Sequence, residues 1–293
     1  MTADIKQIKL EGKNFMLTRI ITGIIGIVAA AYVIQTGGLV FAVCGMVLAV
    51  GAWVEYCNAF DRKGYRPALL VGGLLIAAMC YAAWYGLDTN MLVSIMTGGT
   101  LVLFLMTVLL YGSFTVPSAA VSVAGVAYLG LSFAHLIGLR VMDHGFQAIT
   151  TPLGVFEPGC ALIWIALIGT WASDTFAYFA GSFFGRHKLC PAISPGKTIE
   201  GFIGGLLGTT ASVAGLGVFF DFDVELMAIL GLCICLVATL GDLVESVAKR
   251  YTGIKDSSHL IPGHGGIWDR FDSVIYTVPF VYYFVQFVDI AAK

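Results

Sequence analysis

The sequence predicts an all-α, polytopic integral membrane protein with about nine transmembrane helices and a cytoplasmic N-terminus. Two observations predict the fold class. Of the 293 residues, 58% are hydrophobic and only 12% are charged, whereas soluble domains carry about 25% charged residues. The charged residues are clustered, and the apolar stretches between them are about 20 residues long, which is the length of a membrane-spanning helix. A β-barrel would instead show alternating segments of about ten residues.

Nine candidate spans can be placed between the charged and turn-forming residues. They cover roughly 17–35, 38–56, 67–86, 91–111, 116–139, 158–184, 199–220, 225–245 and 274–290. The first span lacks a following cleavage site of small residues, so we expect it to be retained rather than removed as a signal peptide. The pairs Gly181/Gly185 and Gly201/Gly205 have a spacing that lets helices approach closely, which favours a packing role.

A third observation, the distribution of basic residues, predicts the orientation. With the N-terminus inside the cell, 14 of the 16 lysines and arginines lie in cytoplasmic segments, and the exceptions are Arg140 and Lys293. This is the pattern of the positive-inside rule. The polar segments around 185–200 and 246–272 then both face the cytoplasm, where nucleotides are found. We expect residues 1–140 to form a helical scaffold and residues 141–293 to form the catalytic region.

The segment 246–272 is the most informative part of the sequence. It lies between two hydrophobic spans and mixes basic residues, carboxylates, histidines and glycines. Basic side chains can neutralise a polyphosphate, carboxylates can hold Mg²⁺ against it, and glycines let backbone N–H groups reach phosphate oxygens. This mixture favours a phosphate-binding site over a loop whose charges only orient the protein in the membrane.

The same segment closely resembles the signature of the phosphatidate cytidylyltransferase (CDP-diacylglycerol synthase) family. The positions that match in type and spacing are Ser246, Lys249-Arg250, Lys255-Asp256, Ser258, Ile261-Pro262, His264-Gly265-Gly266, Asp269-Arg270 and Asp272. Ala248 departs from the pattern, because the family usually has a larger apolar residue there. We expect that difference to affect helix packing more than chemistry. A second family motif is present at 194–201, from Ser194 to Gly201.

The resemblance implies an enzyme that transfers the cytidylyl group of CTP to phosphatidate, giving CDP-diacylglycerol and pyrophosphate for phospholipid biosynthesis. It implies one or two Mg²⁺ ions and leaves open whether a monovalent cation assists. The expected partners are CTP, the phosphatidate lipid and the bilayer, with no nucleic acid, and the family suggests a homodimer. We expect the protein in the inner or plasma membrane, with its active site facing the cytoplasm.

The second motif could also be taken for the end of a P-loop at Gly196-Lys197-Thr198. A P-loop needs a glycine at position 191, where Pro191 stands. The residues predict a helix start instead, at which exposed N–H groups and Lys197 favour an anion. The alternative is local: Ser194 or Thr198 caps the helix, and Lys197 extends to the membrane interface.

Four aspartates are candidate magnesium ligands, namely Asp174, Asp242, Asp269 and Asp272. The first two lie within or beside apolar spans, where an ionised carboxylate needs a cavity, a partner or a metal. Asp242, Glu245 and Lys249 follow an i, i+3, i+7 order and therefore share one helix face. The alternatives are an ion pair between Asp242 and Lys249, and helix capping by Asp269 or Asp272.

The expected roles follow from the resemblance and from this chemistry. Catalysis is assigned to Asp242, Asp269, Lys249, Arg250 and His264. Binding of CTP and its phosphates is assigned to Ser194, Lys197, Thr198, Glu200, Lys255, Asp256, Gly265, Gly266 and Arg270. A phosphate monoester has a second pKa of about 6 and is already ionised at neutral pH, so the reaction needs no general base. Positioning and charge neutralisation are expected to supply catalysis.

A transporter is the alternative from another class, because carboxylates inside a membrane also mark ion pathways. The polar residues are concentrated in the last third of the chain rather than in matched halves, which favours an enzyme. A transferase that acts on another lipid phosphate or polyprenyl phosphate also stays open. The seven cysteines lie mostly in apolar spans, and they predict neither a disulfide framework nor a zinc site.

Overall fold

The computed structural model describes residues 21–143 and 148–290. Its helices are α1 Ile21–Thr36, α2 Gly38–Asp61, α3 Leu69–Trp84, α4 Thr89–Leu109, α5 Val116–Val141, α6 Pro158–Phe184, α7 Ile199–Phe220, α8 Val224–Thr252, α9 Ile267–Phe271 and α10 Val274–Phe287. The strands are β1 Ile149–Thr151, β2 Gly154–Phe156, β3 Lys188–Cys190 and β4 Ser194–Thr198. They form two antiparallel hairpins, β1–β2 and β3–β4, which the sequence reading did not include.

The helices confirm the all-α prediction. Each of the nine predicted spans overlaps one of the described helices other than the short α9. Within residues 21–143 and 148–290, six helices are long and apolar enough to cross a membrane, namely α2, α4, α5, α6, α7 and α8. Helices α1 and α3 are shorter apolar helices, and α10 has 14 residues. The count of nine spans and the orientation stay predictions, and the N-terminal basic residues that supported the orientation lie outside the described residues.

Polar caps set several helix boundaries. The side chains of Asp88, Thr115 and Asp223 accept hydrogen bonds from backbone N–H groups in the first turns of α4, α5 and α8. Helix α8 ends at Gly253, whose φ of 76° lies in the left-handed region that favours glycine. Between such ends, apolar runs form helices because a membrane interior offers the backbone no other hydrogen-bond partners.

Small residues bring α6 and α7 together, as the glycine spacing predicted. A Cβ added to Gly201 would lie 2.8 Å from the backbone oxygen of Ala177, and one added to Gly181 would lie 3.5 Å from Gly201 Cα. The packing role of these glycines is therefore confirmed. Helix α8 packs along α7, and α10 packs against α5, α6 and α8.

The short helix α9 lies against α2, although about 200 residues of chain separate them. Because of this contact, the polar loop 253–266 lies at the end of the bundle where α2 and α8 end. The hairpin β3–β4, which connects α6 to α7, lies at the same end, because Lys197 of β4 forms an ion pair with Asp242 of α8. The fold thus gathers both predicted motifs at one end of a largely apolar bundle.

The close approach of α6 and α7 predicts opposite effects for two alanine substitutions in α7. In Gly204→Ala the new Cβ would lie 2.2 Å from the Cβ of Ala180 in α6, so we expect a loss of about 1–3 kcal/mol from overpacking. In Gly215→Ala the new Cβ meets no atom within 4 Å, and helix propensity should raise stability by up to about 1 kcal/mol. Thermal unfolding in one detergent compares the variants, and equal melting temperatures would contradict the packing account.

Candidate active site

Helix α8 presents three charged groups in the order that the sequence predicted. Glu245 is fully buried, and its Oε2 lies 2.5 Å from Lys249 Nζ. The ammonium of Lys249 also lies 3.0 Å from Asp269 Oδ1. Asp242, one turn before Glu245, accepts a hydrogen bond from Ser246 Oγ at 3.3 Å. The predicted alternative, an ion pair between Asp242 and Lys249, is not found: Lys249 pairs with Glu245 and Asp269, and Asp242 pairs with Lys197.

Three carboxylates form a cluster that could hold a metal ion. Asp242 and Glu245 of α8 meet Asp272, which follows α9, and one oxygen of each lies within 4.8 Å of the others. Carboxylate oxygens are the hard donors that Mg²⁺ prefers. Asp269 and Asp174, two of the predicted ligands, lie outside this cluster, and Glu245 takes part although the sequence reading did not choose it as a ligand.

The carboxylate of Asp272 gives a physical reason for a cation at this place. Burial, and next the nearby carboxylate of Asp242, raise the pKa of Asp272 to about 7. Its Oδ1 accepts a hydrogen bond from the Ser273 N–H at 2.6 Å. Among residues 21–143 and 148–290, no lysine or arginine forms an ion pair with it. A divalent cation would relieve the repulsion, so the donor set fits Mg²⁺.

Asp269 organises the loop around the site. Its carboxylate accepts hydrogen bonds from the backbone N–H groups of Ser257 and Gly266, both at 2.9 Å, and from Lys249 Nζ at 3.0 Å. Burial alone would raise the pKa of Asp269, but these backbone hydrogen bonds and the ammonium of Lys249 hold it at about 2. With its oxygens engaged in this way, Asp269 helps to cap α9, as the alternative reading expected.

Steric limits explain why glycines stand at the two positions after His264. Gly265 has a φ of 82°, and a Cβ there would lie 2.6 Å from Asp269 Oδ2. A Cβ on Gly266 would lie 2.1 Å from Ser257 Oγ and 2.5 Å from Glu55 Oε2. The Gly266 N–H donates to Asp269 and is therefore not directed at a ligand. The predicted role of these glycines in phosphate binding stays a prediction.

Glu55 is a residue of the site that the sequence analysis did not identify. It lies in α2, its exposed fraction is 5%, and its carboxylate accepts four hydrogen bonds. The donors are Ser257 Oγ, Ser258 Oγ, Ile267 N–H and Trp268 N–H. One signal could have found it, because a glutamate inside an apolar span is costly unless polar groups surround it.

The second motif, at 194–201, contacts the carboxylate cluster through Lys197. Its Nζ lies 2.6 Å from Asp242 Oδ2, which joins the hairpin β3–β4 to α8. Thr198 is the N-cap of α7 and accepts a hydrogen bond from the Gly201 N–H at 3.1 Å. Ser194 begins β4 and pairs with Cys190. The capping alternative is thus confirmed for Thr198, whereas Lys197 lies against a carboxylate.

Glu200 holds the hairpin in place. Its Oε1 lies 2.6 Å from His187 Nδ1, and its carboxylate accepts hydrogen bonds from the backbone N–H groups of Arg186 and His187. These contacts occupy the side chain locally, so a direct contact of Glu200 with CTP stays a prediction.

A cavity of about 670 Å³ opens beside the carboxylate cluster. At one end its lining is polar and consists of Asp174, Asp242, His264, Asp269, Arg270 and Asp272. The remaining walls are mainly apolar and come from α1, α2, α5 and α6, with residues such as Ile27, Val33, Phe41, Leu136 and Trp171. The cavity is therefore amphipathic, and it joins helices of both halves of the chain.

Four residues of the predicted site lie close to solvent, three from the predicted binding set and one, Arg250, from the predicted catalytic set. Arg250, Lys255, Asp256 and Arg270 are exposed, and Arg270 also lines the cavity. His264 is half-buried, and its Nδ1 lies 3.1 Å from Thr22 Oγ1 of α1. The structure thus places cationic side chains where a soluble anion could reach them.

The ion pairs of Lys249 predict a strong effect on stability. Lys249→Met would leave the buried carboxylates of Glu245 and Asp269 without their ammonium, which should cost about 3–5 kcal/mol. Arg250→Met, at the next and exposed position, should change stability by less than about 0.5 kcal/mol. Melting temperatures of the purified variants in one detergent test this. Similar values for both variants would contradict the buried ion pairs.

Comparison with known proteins identifies the family of this chain. The model of the cytidylyltransferase family matches residues 17–288. A phosphatidate cytidylyltransferase of Staphylococcus aureus is 36% identical over 268 residues, which cover 90% of this chain and 96% of the relative. The enzyme of the same name from Bacillus subtilis is 30% identical over 273 residues, covering 92% and 97%. The range matched by the family model contains both motifs and the three clustered carboxylates, and the chain belongs to the cytidylyltransferase family.

Proposed function

We propose that this protein is a phosphatidate cytidylyltransferase, which makes CDP-diacylglycerol and pyrophosphate from CTP and phosphatidate. The observation that carries the proposal is the amphipathic cavity, whose polar end holds the carboxylate cluster. Phosphatidate has the same two parts, an anionic head and apolar acyl chains. The relatives with this printed name match over nine-tenths of the chain.

The two substrates reach the site from different phases. The acyl chains of phosphatidate lie against the apolar walls formed by α1, α2, α5 and α6, since burial of their methylene groups is favourable. CTP comes from the cytoplasm, where Arg250, Lys255 and Arg270 are exposed to meet its triphosphate. A site at the boundary between membrane and water serves both substrates.

Magnesium is the cofactor of this proposal. Asp242 and Asp272 would hold it, with Glu245 as the third carboxylate of the cluster. When bound, the ion supplies charge neutralisation for the phosphates that meet there. One or two ions, an assisting monovalent cation and a homodimer belong to the same proposal, on the strength of the family resemblance.

The transfer itself is an in-line displacement. A phosphatidate phosphate oxygen forms a bond to the α-phosphorus of CTP, and the bond from that phosphorus to the β-phosphate bridging oxygen breaks, releasing pyrophosphate. The attacking oxygen is already ionised near neutral pH, because the second pKa of a phosphate monoester is about 6. The protein therefore contributes orientation and positive charge rather than a general base.

The basic residues divide into two groups by their contacts. Lys249 is held between Glu245 and Asp269, so it positions the loop. Arg250, Lys255 and Arg270 are exposed, and they neutralise the triphosphate and the leaving pyrophosphate. Lys197 forms an ion pair with Asp242, and its ammonium is therefore close to any phosphate that binds at the cluster. His264, at the polar end of the cavity, donates a hydrogen bond to a phosphate oxygen.

The nine-span topology with a cytoplasmic N-terminus is part of the proposal. It places residues 185–200 and 246–272 together on the cytoplasmic side, and the ion pair between Lys197 and Asp242 supports their proximity. It also leaves residues 1–140 as a helical scaffold that contributes the α1 and α2 walls of the cavity, beside a catalytic region at 141–293.

The activity is tested by pyrophosphate release from purified protein in micelles with phosphatidate, Mg²⁺ and each of the four NTPs. We expect release with CTP only, and only when phosphatidate is present. Asp272→Asn should lower kcat/KM by about 100-fold or more, as loss of one electrostatic stabiliser does. Asp88→Asn is the matched control, because Asp88 is an exposed cap of α4 and asparagine also caps. Folded protein that releases no pyrophosphate with any NTP would contradict the proposal and favour a transporter.

The orientation is tested with single cysteines in a protein that lacks its native ones. Leu153→Cys lies at the exposed tip of the hairpin β1–β2, and Lys255→Cys lies in the exposed part of the loop 253–266. In intact cells, a membrane-impermeant maleimide should label position 153 and leave position 255 unlabelled until the cells are permeabilised. The reverse pattern would show that the active site faces outward.

A further inference from the structure

The carboxylate of Glu55 connects the N-terminal helices to the loop 253–266. A buried carboxylate inside an apolar helix is costly unless its oxygens are hydrogen-bonded. Among the described residues, Glu55 meets that condition through partners more than 200 positions away in the sequence. These hydrogen-bond donors belong to the loop or to the start of α9, so the role of Glu55 lies there rather than within α2.

The four hydrogen bonds are arranged in two equal pairs. Oε1 accepts from Ser258 Oγ at 2.6 Å and from the Ile267 N–H at 3.0 Å. Oε2 accepts from Ser257 Oγ at 2.8 Å and from the Trp268 N–H at 2.8 Å. Each oxygen thus takes one serine hydroxyl from the beginning of the loop and one backbone N–H from its end.

This clamp determines where α9 begins. Ile267 and Trp268 form its first turn, and Asp272 follows directly after its last residue, Phe271. Asp272 is the one member of the carboxylate cluster that does not lie on α8. Its distance from Asp242 therefore depends on how α9 is held. The clamp by Glu55 fixes the backbone of the first turn of α9 against α2, and the ring of Trp268 packs beside it on Tyr56 of α2.

We propose that Glu55 is a positioning residue for the transfer reaction: it fixes α9 so that Asp272 meets Asp242 and Glu245 and the three bind a divalent cation. This inference rests on the proposed function. It assigns to the N-terminal half of the chain a direct part in building the active site, through a side chain that does not touch the substrates.

The geometry of the clamp requires a carboxylate. A glutamine has one acceptor oxygen, so its amide group would face either the Ile267 N–H or the Trp268 N–H, and two donors would oppose each other. An aspartate is one methylene shorter and would not reach both serines and both N–H groups. A glycine at position 266 allows the Glu55 carboxylate to approach, because a Cβ there would collide with both Glu55 oxygens.

The test compares Glu55→Gln with the wild type and with Glu225→Gln, a matched change at an exposed residue in the first turn of α8. Titration with Mn²⁺, followed by the rise in melting temperature, reports cation binding without any turnover. We expect Glu55→Gln to raise the half-maximal Mn²⁺ concentration by about 10–100-fold, the range for residues that orient metal ligands. Hydrogen exchange should speed up at Ile267 and Trp268, and high metal concentration should restore part of the lost kcat.

A purely structural role would give a different result. A lower melting temperature with an unchanged Mn²⁺ midpoint, or unchanged exchange at Ile267 and Trp268, would overturn the proposal. If Glu55→Gln does not fold, Ser258→Ala removes one of the four bonds and keeps the charge. It should shift the midpoint in the same direction by about fivefold, the value of one hydrogen bond, and no shift would overturn the proposal.

The activity measurement separates this inference from the proposed function. Wild-type protein that binds Mn²⁺ but releases no pyrophosphate from CTP and phosphatidate would overturn the proposed function, and with it the role of Glu55 in the transfer. CTP-dependent release by the wild type together with an unshifted metal midpoint in Glu55→Gln would overturn only the inference.

Discussion

The ammonium of Lys249 lies between two buried carboxylates, Glu245 on its own helix and Asp269 on α9. This arrangement ties the last turns of α8 to the helix that follows the loop 253–266. A buried ammonium or carboxylate without a partner would cost several kcal/mol, so α9 is held to α8 by charge as well as by packing. The positions of Asp272, of the glycines and of the polar end of the cavity all depend on this contact.

The charged groups at this end of the bundle contrast with the rest of the molecule. Helix α4 is apolar, with few buried residues, and suits contact with lipid. Helices α6, α7 and α8 pack closely through small residues, which leaves little room between them for a ligand. Space of about 670 Å³ is instead found beside α1, α2 and α6, where the polar cluster meets apolar walls. An amphiphilic substrate matches such a boundary, because neither water nor lipid alone solvates both of its parts.

The sequence predicted those features that depend on local order. Hydrophobic length predicted a helix at each of the places where α1 to α8 and α10 are found, and the i, i+3, i+7 spacing predicted the shared face of Asp242, Glu245 and Lys249. It did not give the partners of those groups, since Lys249 could equally well have met Asp242. The choice depends on where α9 is placed, and that placement comes from contacts between distant parts of the chain.

The same limit explains why the sequence left the role of Asp269 open between metal binding and helix capping, and why it did not identify Glu55. Asp269 stands in a motif that resembles a metal-binding signature, yet its oxygens are filled by backbone N–H groups that only the folded loop brings near. Glu55 belongs to no motif, and its partners are more than 200 residues away. The only local indication is its carboxylate in an apolar span. This predicts that polar groups surround the carboxylate, but it does not predict which residues supply them.

The balance of charge in the cluster connects these observations to the chemistry. Asp242, Glu245 and Asp272 bring three carboxylates within 4.8 Å of one another, and Lys197 contacts the first of them while Lys249 contacts the second. Carboxylates this close repel one another when they are ionised, and the repulsion is strong in a partly buried place. The pKa of Asp272, raised to about 7 by burial and by Asp242, expresses that repulsion. A divalent cation at the cluster would relieve it, and would also reduce the repulsion between the cluster and the phosphates of two anionic substrates.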